Sequence, residues 1–148
     1  MTETPRHSVS VAGIVVNDEG QVLVIRRRDN NHWEPPGGVL ELNETFEEGV
    51  RREVQEETGL SVRVERLTGV YKNLTRGIVA LVFRCTPETG SATTTDEARE
   101  VRWMSVNEVR GAMAPAYAVR VIDAFGDAPR TRAHDGVNLM SEAHANGR

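Results

Sequence analysis

A single cysteine, Cys85, stands in the 148-residue sequence and excludes an internal disulfide. That scarcity suits a reducing compartment, and a cytoplasmic protein is expected. No apolar run approaches the roughly 20 residues of a membrane-spanning helix. Met1 to His7 is polar, with no apolar stretch of signal-peptide character behind it, so no export signal is expected. An excess of basic charge is missing too: 18 Lys and Arg face 22 Asp and Glu, a net charge of −4. This argues against binding nucleic-acid polymers, which favour basic faces, but leaves room for a nucleotide held through a metal ion. There is no Walker phosphate loop and no Gly-x-Gly-x-x-Gly. His7, His32, His134 and His144 lack zinc-site spacing. No serine and histidine stand in a nucleophile signature.

What is present points to one soluble domain, since 39% hydrophobic and 27% charged residues over this length suit a globular chain. Val9 to Val16 and Gln21 to Arg28 read as a hairpin around Asn17-Asp18-Glu19-Gly20. Asp29 to Pro36 reads as a loop, with a short extended piece at Val39-Leu40. Ser61 to Arg66, Leu67 to Lys72, Ile78 to Cys85 and Glu100 to Met104 read as strands. Asn73 to Gly77 reads as a turn and Thr86 to Thr95 as a loop. Val106 to Met113 reads as a short helix. Pro115 starts another to Phe125, with Val119, Ile122 and Phe125, and Val121 adjoining, expected on its packed face. Strands mixed with few helices predict an α/β fold with a mixed sheet between helical layers. Residues 1–7 are expected to be flexible, 8–125 to form the domain, and 126–148 to be a flexible tail. Docking of the Val137-Asn138-Leu139-Met140 patch on this chain or a partner is the alternative for that tail.

Seven of the 22 acidic residues crowd into residues 38–60. Thr45 with Glu48 fits a capping box, and Gly59 fits the left-handed closing residue, so a helix is predicted over Thr45 to Thr58. Phe46, Val50 and Val54 recur every four residues on one face. At about 100° per residue, Glu57 falls inside that apolar sector, and Glu53 and Glu56 border it with Gly49 between. These three carboxylates form a ledge at the negative end of the helix dipole, which disfavours each by up to roughly 1 kcal/mol. Arg52 can pair with Glu56 at i,i+4. A hard divalent cation would offset far more, because such ions seek oxygen ligands.

The spacing is Gly-x5-Glu-x7-Arg-Glu-aliphatic-x-Glu-Glu-x-Gly-aliphatic, matched at Gly38, Glu44, Arg52, Glu53, Val54, Glu56, Glu57, Gly59 and Leu60. It resembles the signature box of the Nudix hydrolases. The preceding Trp33-Glu34-Pro35-Pro36-Gly37-Gly38 resembles that family's lead-in. The resemblance implies a Nudix-type α/β/α sandwich with a mixed β-sheet. It also implies hydrolysis of a nucleoside diphosphate linked to another moiety, with Mg²⁺ or Mn²⁺ as cofactor. Glu53, Glu56 and Glu57 would bind metal, helped by the Gly37 or Gly38 carbonyl. Arg52 would orient the glutamates, with Glu44 a structural or outer contributor. The general base would be a box glutamate, best matched by Glu53, or a later-loop acid, Glu97 with Glu100 in reserve.

Substrate contacts are less specific. Arg26 and Arg28 end a strand aimed at the loop entering the box, where arginines can hold phosphates. A solvated strand end is the alternative, and Arg27 should face the other way. Trp33 and Tyr71 are candidates to stack on a base or to pack in the core, and Trp103 is expected in the core. The partner implied is a small nucleotide. The compact chain resembles the MutT-like enzymes, so a (deoxy)nucleoside triphosphate yielding monophosphate and pyrophosphate ranks first. An ADP-ribose or nucleotide-sugar pyrophosphatase ranks second. Arg76 stands where ADP-ribose enzymes often carry a proline, about sixteen residues past the box. A non-catalytic nucleotide sensor is the reading from another class, but such modules commonly lose box carboxylates and none is lost here. Monomer and homodimer both remain open.

Overall fold

Alternation along the first strand builds two cores at once, because successive side chains of a strand point to opposite faces. In the computed structural model, which describes residues 3–141, β1 spans Ser8–Val15. Its Val11 and Val15 join Val50, Val54, Leu60, Val62, Phe83 and Cys85 on one side. Its Ala12 and Ile14 join Val22, Val24, Ala80, Val82, Val109 and Val121 on the other. The remaining elements follow in chain order: β2 (Val22–Arg27), β3 (Trp33–Glu34), β4 (Gly37–Val39), α1 (Phe46–Thr58), β5 (Ser61–Asn73), β6 (Ile78–Thr89), β7 (Ala98–Met104), α2 (Val106–Ala112), α3 (Pro115–Asp123), β8 (Arg130–His134) and β9 (Leu139–Met140).

Six strands form one sheet in the order β4-β1-β6-β5-β8-β9, and three form a second in the order β3-β2-β7. The larger sheet is mixed: β1 and β6 are parallel, as are β5 and β8, while β5 and β6 are antiparallel. Helix α1 covers one face, and α3 with α2 lies on the other, giving the expected α/β sandwich.

The sequence and the fold part at several points. The expected β1–β2 hairpin is not a ladder, for only the isolated Val16–Val22 bridge joins the two strands. Strand β2 leaves for the second sheet, pairing with β7 through Leu23–Trp103 and its neighbours. Its unbroken buried run Val22-Leu23-Val24-Ile25 is the mark of a strand covered on both faces. The two expected strands at 61–72 are one strand, β5, irregular near Val64 to Gly69. The loop at 29–36 contains β3, and β6 runs on to Thr89.

The C-terminal expectation needs the largest correction. Residues 130–134 are not a loose tail: β8 pairs in parallel with β5, and β9 pairs back onto β8. Arg132 anchors it with a bidentate ion pair to buried Asp123, 2.7 and 2.8 Å. Docking thus prevails through Met140, while residues 142–148 lie outside the described ones. The packed face of α3 is only partly the expected one: Val121 is buried and Val119 packs against the core, but Phe125 is 40% exposed, and Ala116, Arg120, Asp123 and Ala124 are buried as well. Polar residues enter that face because they find partners inside, as Asp123 does with Tyr71 and Arg132.

Candidate active site

Helix α1 begins and ends as its sequence predicts. The Thr45 side chain accepts from the Glu48 amide, and Glu48 reaches back to the Thr45 amide. Gly59 closes the helix at φ 77°, a left-handed conformation that strains other residues. Val50 and Val54 are fully buried, but Phe46, the first residue of the helix, is 44% exposed. Gly49 faces inward rather than lying bare between the glutamates: a Cβ there would meet Leu40 at 2.6 Å.

The same helix delivers Glu53 and Glu57, both buried, to its sheet-facing side. Glu57 is held by β4, whose Gly37 amide donates to its Oε1 at 2.7 Å. Gly37 thus meets the cluster through its N–H. Gly38 leaves room for Glu53, since a Cβ there would stand 2.6 Å from Glu53 Oε2. Arg52 is the organiser. Its guanidinium donates to both Glu44 oxygens, at 2.6 and 3.0 Å, and to the Val39 carbonyl at 3.1 Å. It also donates to Glu53 at 2.7 Å and Glu56 at 2.8 Å. Glu44 thus serves Arg52, and hydrogen bonding to Arg52 holds its carboxyl down at about 2.

A third carboxylate arrives from the chain segment before β7. Carboxylate oxygens of Glu53, Glu57 and Glu97 all lie within 4.8 Å of one another. The segment is latched to the end of α1. The Thr95 hydroxyl donates to the Glu57 carbonyl at 3.1 Å, and the Thr93 amide donates to the Thr58 carbonyl at 2.8 Å. The Thr95 hydroxyl also accepts from the Glu97 and Ala98 amides, each at 3.3 Å. Neither threonine was singled out from sequence; Thr95 two residues before Glu97 is the turn signal that marks the latch. Glu56, by contrast, is exposed, paired with Arg52 and outside the three-carboxylate group.

The cluster is electrostatically unfinished. Burial pushes the Glu57 carboxyl up to about 8; the Gly37 amide opposes the rise, and Glu53 and Glu97 add to it. Burial also raises Glu53, against the pull of Arg52. Buried carboxylates this close favour neutralisation by a proton or a cation. An all-oxygen donor set of this kind fits a hard divalent cation.

The other expected contacts sort differently. Arg26 donates to Glu100 at 3.1 Å and to the Asn31 carbonyl at 3.2 Å, which engages the reserve base Glu100 in an ion pair. Arg28 is exposed and donates to the Thr95 carbonyl at 3.1 and 3.3 Å, so it steadies the Glu97 segment. Trp33 is half-buried, with Arg26 and Arg102 at 5.6 and 5.5 Å from its ring centroid. Tyr71 is excluded as a stacking surface, because it is fully buried and its hydroxyl donates to Asp123 at 2.8 Å. Trp103 is partly buried against the α1-side core. Cys85 is buried, and burial pushes its thiol up to about 12.

A model of the NUDIX domain matches residues 6–125. The chain belongs to the NUDIX family. A MutT-like protein of Streptomyces ambofaciens is 58% identical over 140 residues, covering 94% of this chain and 91% of that protein. An ADP-ribose pyrophosphatase of Methanocaldococcus jannaschii is 35% identical over 109 residues, covering 69% and 64% respectively. Among solved structures, the mutator MutT protein from Bacillus halodurans matches with a TM-score of 0.72 and 25% identity, covering 90% of this chain and 95% of that one. The protein is accordingly a NUDIX hydrolase acting on phosphoanhydride bonds. Strand β8 lies beyond the stretch that the family model matches. No helix among the described residues of this NUDIX hydrolase is long and apolar enough to cross a membrane.

Proposed function

We propose that the protein hydrolyses a (deoxy)nucleoside triphosphate to a nucleoside monophosphate and pyrophosphate, using Mg²⁺ or Mn²⁺. The observation that carries the reading is the convergence of Glu53, Glu57 and Glu97 within 4.8 Å. Likeness to the MutT-like protein over 94% of the chain favours the triphosphate. Glu53 and Glu57 would hold the cation, with Glu97 at its exposed side and Glu56 acting through Arg52. Bound there, a divalent cation supplies charge neutralisation for phosphate oxygens and makes a neighbouring water more acidic.

The chain's own groups do the rest. Arg52 fixes Glu53 by a hydrogen bond, and the Gly37 amide fixes Glu57. Their orientation is set before substrate arrives, as electrostatic preorganisation requires. Glu97 is the group that accepts the proton of the attacking water. Its carboxylate is exposed, sits in the cluster and makes no hydrogen bond among the described residues, whereas Glu53 is pinned by Arg52.

ADP-ribose is the second reading, favoured by the 35% identity to an ADP-ribose pyrophosphatase. A substrate panel with Mg²⁺ separates the two. Nucleoside triphosphates are expected to give monophosphate and pyrophosphate. Release of AMP and ribose 5-phosphate from ADP-ribose, with triphosphates left intact, would replace the first reading by the second.

A further inference from the structure

Helix α1 ends without a basic residue in its last turn. The last carbonyls of a helix find no partner within it, so donors must come from elsewhere. Here they come from the segment that carries Glu97. The Thr93 amide donates to the Thr58 carbonyl at 2.8 Å, and the Thr95 hydroxyl donates to the Glu57 carbonyl at 3.1 Å. The end of α1 and the approach to Glu97 are thus one hydrogen-bonded unit.

Thr95 has the central place in that unit. A threonine hydroxyl offers one proton and two lone pairs. All three are used: the proton on the Glu57 carbonyl, and the lone pairs on the amides of Glu97 and Ala98, each at 3.3 Å. One oxygen atom therefore joins the backbone of Glu57 to the backbone of Glu97, and both residues send carboxylates into the cluster. The far side of the segment is fixed as well, because Ala98 is fully buried and pairs with Arg27 of β2. Glu97 itself is exposed, and its carboxylate makes no hydrogen bond among the described residues, so its place is set through its backbone. Neighbouring Thr94 is also exposed, and its hydroxyl makes no hydrogen bond among the described residues.

We infer that Thr95 is a positioning residue for hydrolysis, its hydroxyl holding the Glu97 backbone against the Glu57 carbonyl so that the two carboxylates keep their relation. This rests on the reading above of Glu97 as the group that takes the proton of the attacking water. Thr95 touches neither that water nor the cation; it acts through Glu97. Its effect therefore falls on the chemical step and not on substrate binding. A displacement of about 1 Å at a reacting group can cost on the order of 10²-fold in rate. Valine has the shape of threonine without the hydroxyl, and it removes all three hydrogen bonds. Serine keeps the hydroxyl and can make all three.

The test joins rates to amide exchange in the full chain. Thr95→Val is expected to lower kcat by about 10- to 100-fold at saturating Mg²⁺, with KM and the Mg²⁺ requirement nearly unchanged. Thr95→Ser should retain most of the rate, and Thr94→Val all of it. Added to Glu97→Gln, Thr95→Val should cost little more than Glu97→Gln alone, since residues that act as one unit are not additive. In the metal-free protein, hydrogen exchange at the Glu97 and Ala98 amides should quicken in Thr95→Val and stay unchanged in Thr94→Val. Parent-like kcat in Thr95→Val would overturn the inference, as would a full further loss in the combined variant. A Thr95→Ser variant as slow as Thr95→Val would overturn it too, because the hydroxyl would not be what matters. Unchanged exchange at both amides would overturn it whatever the rates. A severe Glu97→Gln with an unimpaired Thr95→Val would defeat the inference and leave the base reading standing. A mild Glu97→Gln would defeat the base reading and, with it, the inferred effect on rate.

Discussion

Glu57→Gln is expected to fold and to lose well over tenfold in turnover, with a matching loss of affinity for Mg²⁺. The amide keeps the size of the side chain and an oxygen to accept from the Gly37 amide, so the 2.7 Å contact survives. The charge is what goes, and with it one of the buried ligands a divalent cation needs. Above about pH 8, where the Glu57 carboxyl is ionised, the metal-free variant should be no less stable than the parent, because a repelling charge has left the ledge. Its pH response carries the same information. Folding raises the Glu57 carboxyl from 4.5 to about 8. The folded state then binds the proton more tightly than the unfolded chain. This stabilising contribution is complete below the unfolded pKa and is lost as pH rises through the folded one. Without metal, the thermal midpoint of the parent should therefore fall between about pH 5 and about pH 8, and that of Glu57→Gln should fall less. Wild-type turnover of the variant at low Mg²⁺ would remove Glu57 from the ligand set.

Glu97→Gln is expected to cut the maximal rate by about 10²–10⁴-fold at saturating Mg²⁺, the usual contribution of a general base. Its metal requirement should stay nearly unchanged, since Glu53 and Glu57 remain. Glu53→Gln cannot assign the role by itself, because Glu53 is both a ligand candidate and a partner of Arg52. The Glu97 variant is thus the informative one. A mild effect there, with a severe one in Glu53→Gln, would move the base to Glu53.

The box helix was legible because its signals are local. Its cap, its left-handed closing glycine, the Arg52–Glu56 pair and the position of Glu57 all follow from spacing within one turn or two. What escaped depends on distant partners. The strand alternation that singled out Arg26 and Arg28 also set Arg27 apart, yet only the fold shows Arg27 beside Asp29 and Glu34 and Arg28 on Thr95. The β1–β2 pair looked like a hairpin because turn chemistry does not reveal that β2 prefers β7. Residues 130–134 carry no strong strand signal of their own; the edge of β5 and the Asp123–Arg132 pair order them. Arg120 had a readable sign, standing four residues after Ala116 and four before Ala124 on the buried side of α3. An arginine inside an apolar face asks for a partner or a ligand.

The central claim is that hydrolysis depends on a divalent cation held by the carboxylates of Glu53 and Glu57, with Glu97 beside them. The direct measurement is pyrophosphate release from a nucleoside triphosphate after exhaustive metal removal, followed as Mg²⁺ or Mn²⁺ is added back. The predicted result is no turnover in excess EDTA and full recovery with either ion. Undiminished turnover in EDTA would contradict it.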